Sequence, residues 1–355
     1  MIKYDVIVIG GGQSGLAVGY YLRRSGLSYV ILDNQDEAGG AWLHTWKSLR
    51  LFSPAQWSSL PGTIMTGGSD YYPTRDVVIE YLKYYETKYN LPVNRPVEVH
   101  RVERQNDEFI IYTSDGIYNC NAVVSTTGSF TNPYVPEIAG MNHFKGGIIH
   151  SSEYQSPEPF EGKRVAIVGE GNSGAQILAE VSKVTGTLWI TQKEPRFLPD
   201  HIDGRYLFDV ATQMYEAQKA GNHFKHLSLG DIVMVGTLKD ARSRNVLKSI
   251  RPFGHFTEDS LIWPDGREEK IDSVIFCTGF RPSLRHLQEL NVITPDGKAE
   301  TTGTRSGTIR GLWFVGYGNW TGFASATLVG VGRSARSTVE EITAYVSSLK
   351  ESQPL

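Results

Sequence analysis

Two stretches of the chain repeat one order of apolar and polar positions. DVIVIGGGQSGLAVGYYLRRSGLSYVILD (5–33) and RVAIVGEGNSGAQILAEVSKVTGTLWITQK (164–193) each start with an apolar, β-branched run of strand length. Each then passes through GxGxxG into a helix-period segment and on to a second apolar run. A near-continuous apolar strand suits a parallel sheet buried on both faces, so the pattern predicts a βαβ unit twice. Gly26 and Gly186 fall where helix C-caps are expected. PVEVHRVER (96–104), EFIIYT (108–113) and NAVVSTTG (121–128) read as strands between the repeats. Residues 195–255 show no readable period. IDSVIFCTGF (271–280) and LWFVGYGNW (312–320) each give a further strand, and 323–349 reads as a helix. The expected fold is α/β: two doubly wound, Rossmann-like dinucleotide-binding domains, with 159–278 inserted into a domain made of 1–158 and 279–355.

Composition narrows the class without adding chemistry. A chain of 355 residues has room for two domains. Its 35 basic and 38 acidic residues leave a net charge of −3, which gives no electrostatic case for nucleic-acid or membrane-surface binding. Cys120 and Cys277 form no CxxC, so neither a local redox dithiol nor a zinc ribbon is available. Two thiols in so long a chain suit a reducing cytoplasm, the expected location. The apolar opening carries Asp5 and is broken by Gly10, Gly11 and Gly12, which is not the pattern of a signal peptide. No run of about 18 apolar residues predicts a membrane span.

The chemistry enters with the glycine loops. Gly10, Gly12 and Gly15 directly follow a strand run and open a helix. Glycine allows the tight turn and the close approach of a pyrophosphate, and a helix N-terminus offers N–H groups and a positive dipole end. Asp33 closes the second strand 23 residues after Gly10, where an acid accepts hydrogen bonds from an adenosine ribose. A turn that only packs helix on strand is the plain alternative; strand, loop, helix and acid together favour the cofactor. Gly169, Gly171 and Gly174 repeat the spacing, but the position 23 residues on is Gln192. A carboxylate there repels a 2′-phosphate; Gln192 does not, and Lys193 adds a point charge. No arginine adjoins it in sequence to form a bidentate clamp. The expectation is weak discrimination between NADH and NADPH. Two such sites imply electron traffic between two dinucleotides; the first, with its acid, suits FAD and the second a nicotinamide.

FKGGIIHSSEY (144–154) fits F-x-G-x-x-x-H-x-x-x-Y at every fixed position. Together with GGAW (39–42), STTG (125–128), CTGF (277–280), GYGNW (316–320) and both glycine loops, the matching segments cover nearly the whole chain. This set resembles the flavin-containing monooxygenases. The run FVGYGNWTGFASATLVGVGR is similar to the short bacterial members, including those found with arsenic-resistance genes. The Baeyer–Villiger branch usually has Trp where this chain has Tyr154. The resemblance implies that NAD(P)H reduces FAD and that oxygen then adds to give a C4a-hydroperoxide. That species passes one oxygen atom to a soft nucleophile: a sulfide, with amines and, by Baeyer–Villiger reaction, ketones as further classes. Such a cycle needs no metal, but it needs water kept out. The implied partners are a small-molecule nucleophile and O2, with no nucleic acid and no membrane; a homodimer is the assembly to test for.

By that resemblance Gly10, Gly12, Gln13, Ser14, Gly15 and Asp33 hold the FAD pyrophosphate and ribose, and Gly40 and Trp42 line its far side. Thr127, Gly128 and Asn319 contact the rest of the cofactor. Gly169, Gly171, Asn172, Ser173, Gly174, Gln192 and Lys193 are the matching nicotinamide positions. A helix opening near Ala324 and Ala326 is expected to aim its positive end at the flavin. Phe52 and His150 are the candidates for a direct catalytic part, the flavin carrying most of the chemistry. Two departures stand out. Gly318-Asn319 replaces the Gly-Asp pair common in related flavoproteins, and Asn can still hydrogen-bond a ribityl hydroxyl. Larger members have, near the flavin, an Asn thought to help hold NADP and the oxygenated flavin; here Phe52, Ser53 and Pro54 occupy that segment and the first amide is Gln56. A leaky oxygenase is expected.

Plainer readings accompany several of these residues. His150 also fits a hydrogen-bonded structural role in a connector crossing from the first domain to the second, with Gly146 and Gly147 permitting a sharp path. Trp42, His44 and Trp46 either wall the flavin or pack a loop. His223 and His226, at i, i+3, lack a third ligand and read as a solvated helix face. The basic stretch 239–251 reads as solvated surface, with guidance of the cofactor phosphate as the lesser alternative, and Cys277 reads as a core thiol. Ser14 and Ser173 stand in GxSG, not GxSxG, so a hydrolase elbow fails on spacing. Two other functions stay open: an NAD(P)H oxidase or disulfide reductase without CxxC on the same scaffold, and a dinucleotide-sensing module without turnover.

Overall fold

A computed structural model of the chain describes residues 2–206, 213 and 231–351. It divides into two compact units, one made of Met1–Leu43, Pro54–Asn132 and Arg281–Leu355, the other of His44–Ser53 and Pro133–Phe280. The divisions therefore fall at other places than the expected 158/159 and 278/279.

In the first unit the strands are β1 (Ile2–Ile9), β2 (Tyr29–Leu32), β3 (Val93–Asn94), β4 (Val99–Gln105), β5 (Glu108–Thr113) and β6 (Gly116–Ser125). β6, β1, β2 and β3 lie side by side and parallel, and the strand Leu312–Phe314 continues the sheet beyond β6. β4 and β5 extend it as an antiparallel hairpin on β6. Val6, Ile7, Val8, Val123 and Val124 are fully buried, as an apolar run in a covered parallel sheet requires. Helix α1 (Gln13–Leu22) follows the first glycine loop, and α2 (Arg75–Lys88) has no counterpart in the sequence reading. The long helix Val331–Glu351 packs beside α1 and buries Val331, Ala335, Val339, Ile342 and Val346, a stripe of helical spacing. It begins eight residues later than expected. Gly322 and Ala324 take positive φ, 121° and 57°, and break any helix that would pass through them.

In the second unit β7 (Gly147–His150), β8 (Arg164–Val168), β9 (Gly186–Ile190) and β10 (Ser249–Ile250) precede a three-stranded meander: β11 (His255–Phe256), β12 (Ser260–Ile262) and β13 (Glu268–Lys270). β14 (Ser273–Phe276) completes a parallel sheet in the order β10-β9-β8-β14-β7. One apolar cluster gathers α3 (Asn172–Val181) and the helix Gly236–Ser243; a second gathers Phe253, Phe256, Leu261 and Trp263 of the meander region. Trp46, from the short piece His44–Ser53, belongs to the first cluster, its ring centroid 6.3 Å from that of Tyr154.

Two local expectations change. The helices end at Leu22 and Val181, capped by Arg23 and Ser182, so Gly26 sits in the loop that follows and Gly186 opens β9. FKGGIIHSSEY is no connector, because its centre is β7, paired in register with β14. Gly146 lies at a bend just before β7, and a Cβ there would stand 2.6 Å from the Asp272 carbonyl, so its glycine also permits close packing. His223 and His226 lie outside the described residues.

Candidate functional site

The three glycines of each loop answer three different demands. Gly10 and Gly169 have φ of 107° and 139°, and a Cβ on either would strike the carbonyl that follows the neighbouring strand, at Thr126 and Cys277 respectively. Gly15 and Gly174 let α1 and α3 press onto the carbonyls of Gly10 and Gly169. Neither reason applies to the middle glycine. Gly12 and Gly171 have ordinary φ of −74° and −95°. A Cβ on Gly12 would come no nearer than 3.7 Å to any heavy atom, and one on Gly171 would meet nothing within 4 Å. Contacts within the protein do not require glycine at these two positions; glycine there leaves the helix end open to an approaching group.

The helix ends agree. α2 closes its own N-terminus, with the Thr74 hydroxyl accepting from Val77 N at 3.4 Å and Asp76 in the first turn. α1 and α3 have neither a side-chain cap nor an acid in the first turn. Their first N–H groups and positive dipole ends suit an anion such as a pyrophosphate.

Around the first loop the side chains form a scaffold. Gln13 accepts from Trp42 Nε1 at 3.0 Å and donates to the Ala326 carbonyl at 2.7 Å, tying two distant loops to the start of α1. Gly40 (φ 54°) packs so tightly on Gly12 that a Cβ would lie 2.7 Å from the Gly12 Cα. Ser14 is buried and closely approached by Gly316. Thr126, absent from the sequence-derived set, places its hydroxyl 2.8 Å from both the Ile9 and Gly10 carbonyls. Asp33 is 4% exposed, and its Oδ2 accepts from Arg95 Nε at 3.0 Å. Arg95 also clamps Glu86 with two hydrogen bonds, at 2.7 and 2.9 Å.

A buried polar network fixes the STTG turn. The Tyr317 hydroxyl lies 2.5 Å from Ser125 Oγ and 2.8 Å from Thr127 Oγ1, and accepts from Thr127 N at 3.2 Å. Ser125 also reaches His286 Nε2 at 3.2 Å. Burial pushes the Tyr317 phenol up to about 12 and the His286 imidazole down to about 4, so the network is neutral at neutral pH. Gly128 (φ 63°) accepts from Ser283 N at 2.8 Å, and Asn319 is an exposed residue opening a short 3₁₀ turn.

Around the second loop Trp189 donates to the Gly169 carbonyl at 2.8 Å and so positions the loop's first glycine. The Asn172 amide faces protein: Oδ1 accepts from Val233 N at 3.0 Å and Nδ2 donates to the Asp231 carbonyl at 3.4 Å. Ser173 is half-buried, while Gln192 and Lys193 are exposed at the end of β9. Beside them stands Arg251, the last residue of the basic stretch 239–251, so an arginine does stand at this site although none adjoins Gln192 in sequence. Its guanidinium lies 3.0 Å from Thr191 Oγ1 and 2.5 Å from Glu194 Oε2. The arginine is 60 positions away in sequence but adjacent in the sheet, because β10 pairs with β9.

His150 is held as a neutral ring. Nδ1 accepts from Ser152 N at 3.1 Å, which leaves Nε2 to donate to the Gly279 carbonyl at 3.0 Å. Burial lowers its pKa. Phe52 packs against the buried Leu198, Ile202 and Val233. Arg242 and Arg244 of the basic stretch pair with Asp200 and Asp240. Cys120 and Cys277 are both buried, one in each unit, and burial pushes the Cys277 thiol up to about 12. Among the described residues no group of three or more His, Cys, Asp or Glu forms a metal site, and no helix is long and apolar enough to cross a membrane.

Two parallel-sheet units, each with an anion-ready helix end behind a glycine loop, define an oxidoreductase that handles two dinucleotides. Residues 7–212 match the family described as pyridine nucleotide-disulphide oxidoreductase, and the chain belongs to that family. It is similar to the flavin-containing monooxygenase from Stenotrophomonas maltophilia, with 49% identity over 97% of this chain and 99% of that one and a TM-score of 0.89. An uncharacterized CzcO-like oxidoreductase of Geobacillus kaustophilus is 31% identical over 95% of this chain and 98% of its own length. The probable indole-3-pyruvate monooxygenase YUCCA9 of Arabidopsis thaliana is 27% identical over 82% of this chain and 78% of its own. The protein is a flavin monooxygenase that uses FAD and NAD(P)H.

Proposed function

We propose that this enzyme oxygenates a small soft nucleophile, a sulfide first of all, and draws its electrons from NADH or NADPH with little preference between them. The observation that carries the reading is the middle glycine of each loop, needed by no contact within the protein. FAD, when bound, accepts the hydride and activates oxygen. The chain's part is to bind and to position. The start of α1 receives the FAD pyrophosphate, and the Asp33 carboxylate, steadied through Oδ2 by Arg95, offers Oδ1 to the ribose. Gly40 and the Gln13–Trp42 contact hold the GGAW loop over that helix end, and the Tyr317 network holds the Thr127–Gly128 turn. In the second unit the start of α3 receives the nicotinamide dinucleotide's pyrophosphate, with Gln192, Lys193 and Arg251 at its adenosine ribose. His150 serves as a neutral tie between β7 and Gly279, not as a proton donor.

Phe52, Ser53 and Pro54, in place of a side-chain amide, support an oxygenase that loses part of its reducing equivalents as hydrogen peroxide. The test is to reduce the purified holoenzyme anaerobically with NADPH or NADH, admit oxygen with a methyl aryl sulfide present, and quantify sulfoxide and peroxide. Sulfoxide together with measurable peroxide is expected. The two nucleotides should differ in kcat/KM by less than about a thousandfold, or about 4 kcal/mol. Peroxide without sulfoxide would make the protein an oxidase; no flavin reduction would make it a sensor.

A further inference from the structure

We propose that Glu194 sets the nicotinamide preference by engaging the Arg251 guanidinium that would otherwise meet a 2′-phosphate. The inference rests on the reading above, in which the end of β9 receives the adenosine ribose.

Arg251 is well anchored. The register of β10 on β9 pairs Ile250 with Ile190, so Arg251 and Thr191 leave the sheet together and deliver the guanidinium next to Gln192. The Arg251 carbonyl accepts from Trp263 Nε1 at 2.8 Å, which fixes the backbone. One guanidinium nitrogen donates to Thr191 Oγ1 at 3.0 Å and lies 3.3 Å from the Thr191 carbonyl. The other donates to Glu194 Oε2 at 2.5 Å and Ser249 Oγ at 3.0 Å. A planar guanidinium recognises phosphate through two N–H groups at once; here one edge is bound to the strand and the other to Glu194.

The local charge balance points the same way. Glu170, inside the glycine loop, accepts from Lys193 N at 2.9 Å through Oε2. Glu170, held at the Lys193 backbone N–H, and Glu194, on the Arg251 guanidinium, bring two carboxylates to a place where a phosphate monoester would add about −1.5 to −2 charges. A ribose diol needs only hydrogen bonds, which Gln192 can supply. The Glu194 side chain is 81% exposed and that of Arg251 45%, so the pair is screened and weak enough for a phosphate to displace. Glu194 therefore biases the site toward NADH without closing it to NADPH.

The test is a double-mutant cycle on the holoenzyme, with flavin reduction followed for each nucleotide and 2′-AMP and 5′-AMP titrated by calorimetry. Glu194→Gln keeps the shape and removes the charge. It should raise kcat/KM for NADPH about fivefold, leave NADH within about twofold, and tighten 2′-AMP but not 5′-AMP. In an Arg251→Gln background the same change should gain nothing, because no guanidinium remains to be released. An unchanged NADPH/NADH ratio in Glu194→Gln overturns the inference, as does a gain that persists without Arg251, which would assign the effect to plain repulsion. If neither nucleotide reduced the wild-type flavin, the proposed function would fall, and the 2′-AMP titrations would still decide the part assigned to Glu194.

Discussion

Asp33 shows what a single position can reveal and what it hides. Its offset from Gly10 marks it as a ribose ligand from sequence alone. Nothing in the sequence shows that Arg95 occupies one of its oxygens and bridges it to Glu86. His286 was not singled out from the sequence, yet it is 7% exposed and its Nε2 lies 3.2 Å from Ser125 Oγ. Burial brings its pKa to about 4 and lowers that of His150 as well. A folded-state pKa below the unfolded value means that the unfolded chain binds more protons in between. The contribution of His286 is whole above about pH 6.5 and declines as the pH falls toward 4, by about 3 kcal/mol at the end of that range. Urea unfolding at pH 7.5, 5.5 and 4 should show the loss, and His286→Gln should flatten it. A variant as acid-sensitive as the wild type would show that other groups dominate.

At the scale of elements, the glycine loops make a sharper prediction than the motif does. Gly171→Ala should fold normally, because the added Cβ meets nothing, but should weaken nicotinamide binding about tenfold or more, at least 1.4 kcal/mol. Gly174→Ala should instead destabilise the second unit by about 1–3 kcal/mol, because its Cβ would collide with the Gly169 carbonyl. Thermal unfolding and cofactor titration of the two variants separate the cases; equal behaviour would dissolve the distinction. The loops themselves were readable because glycine spacing is local. So were β1, β5, β8 and α3, whose apolar periods run unbroken. The late start of Val331–Glu351 was not, since an alanine at φ 57° has no sequence signature. The basic stretch 239–251 was visible, but not the strand pairing that brings its last residue, Arg251, to the second loop. β7 was mistaken for a linker because a four-residue strand with a glycine at its head carries little period.

The whole chain was legible as two dinucleotide-binding units, since the repeated βαβ pattern announces both. The dividing points were not, because they depend on which sheet a short strand joins. The small piece His44–Ser53 is the clearest case. It belongs with the second unit, and Trp46, 7% exposed, fills a place in that unit's apolar core beside Tyr154 and Phe160. Trp46→Ala should cost about 3–5 kcal/mol of stability, read by denaturant unfolding followed through Trp189. A loss below about 1 kcal/mol would show that the core closes without it.

That one tryptophan bears on how such a protein can be taken apart. Residues 133–280 look like a cassette that a gene rearrangement, or an engineer swapping nicotinamide modules between oxygenases, could move as a single block. The block would arrive without its plug, which is encoded 87 positions upstream of residue 133, inside the host domain. A working transplant has to carry two fragments of the gene, or replace Trp46 with bulk supplied from within the block.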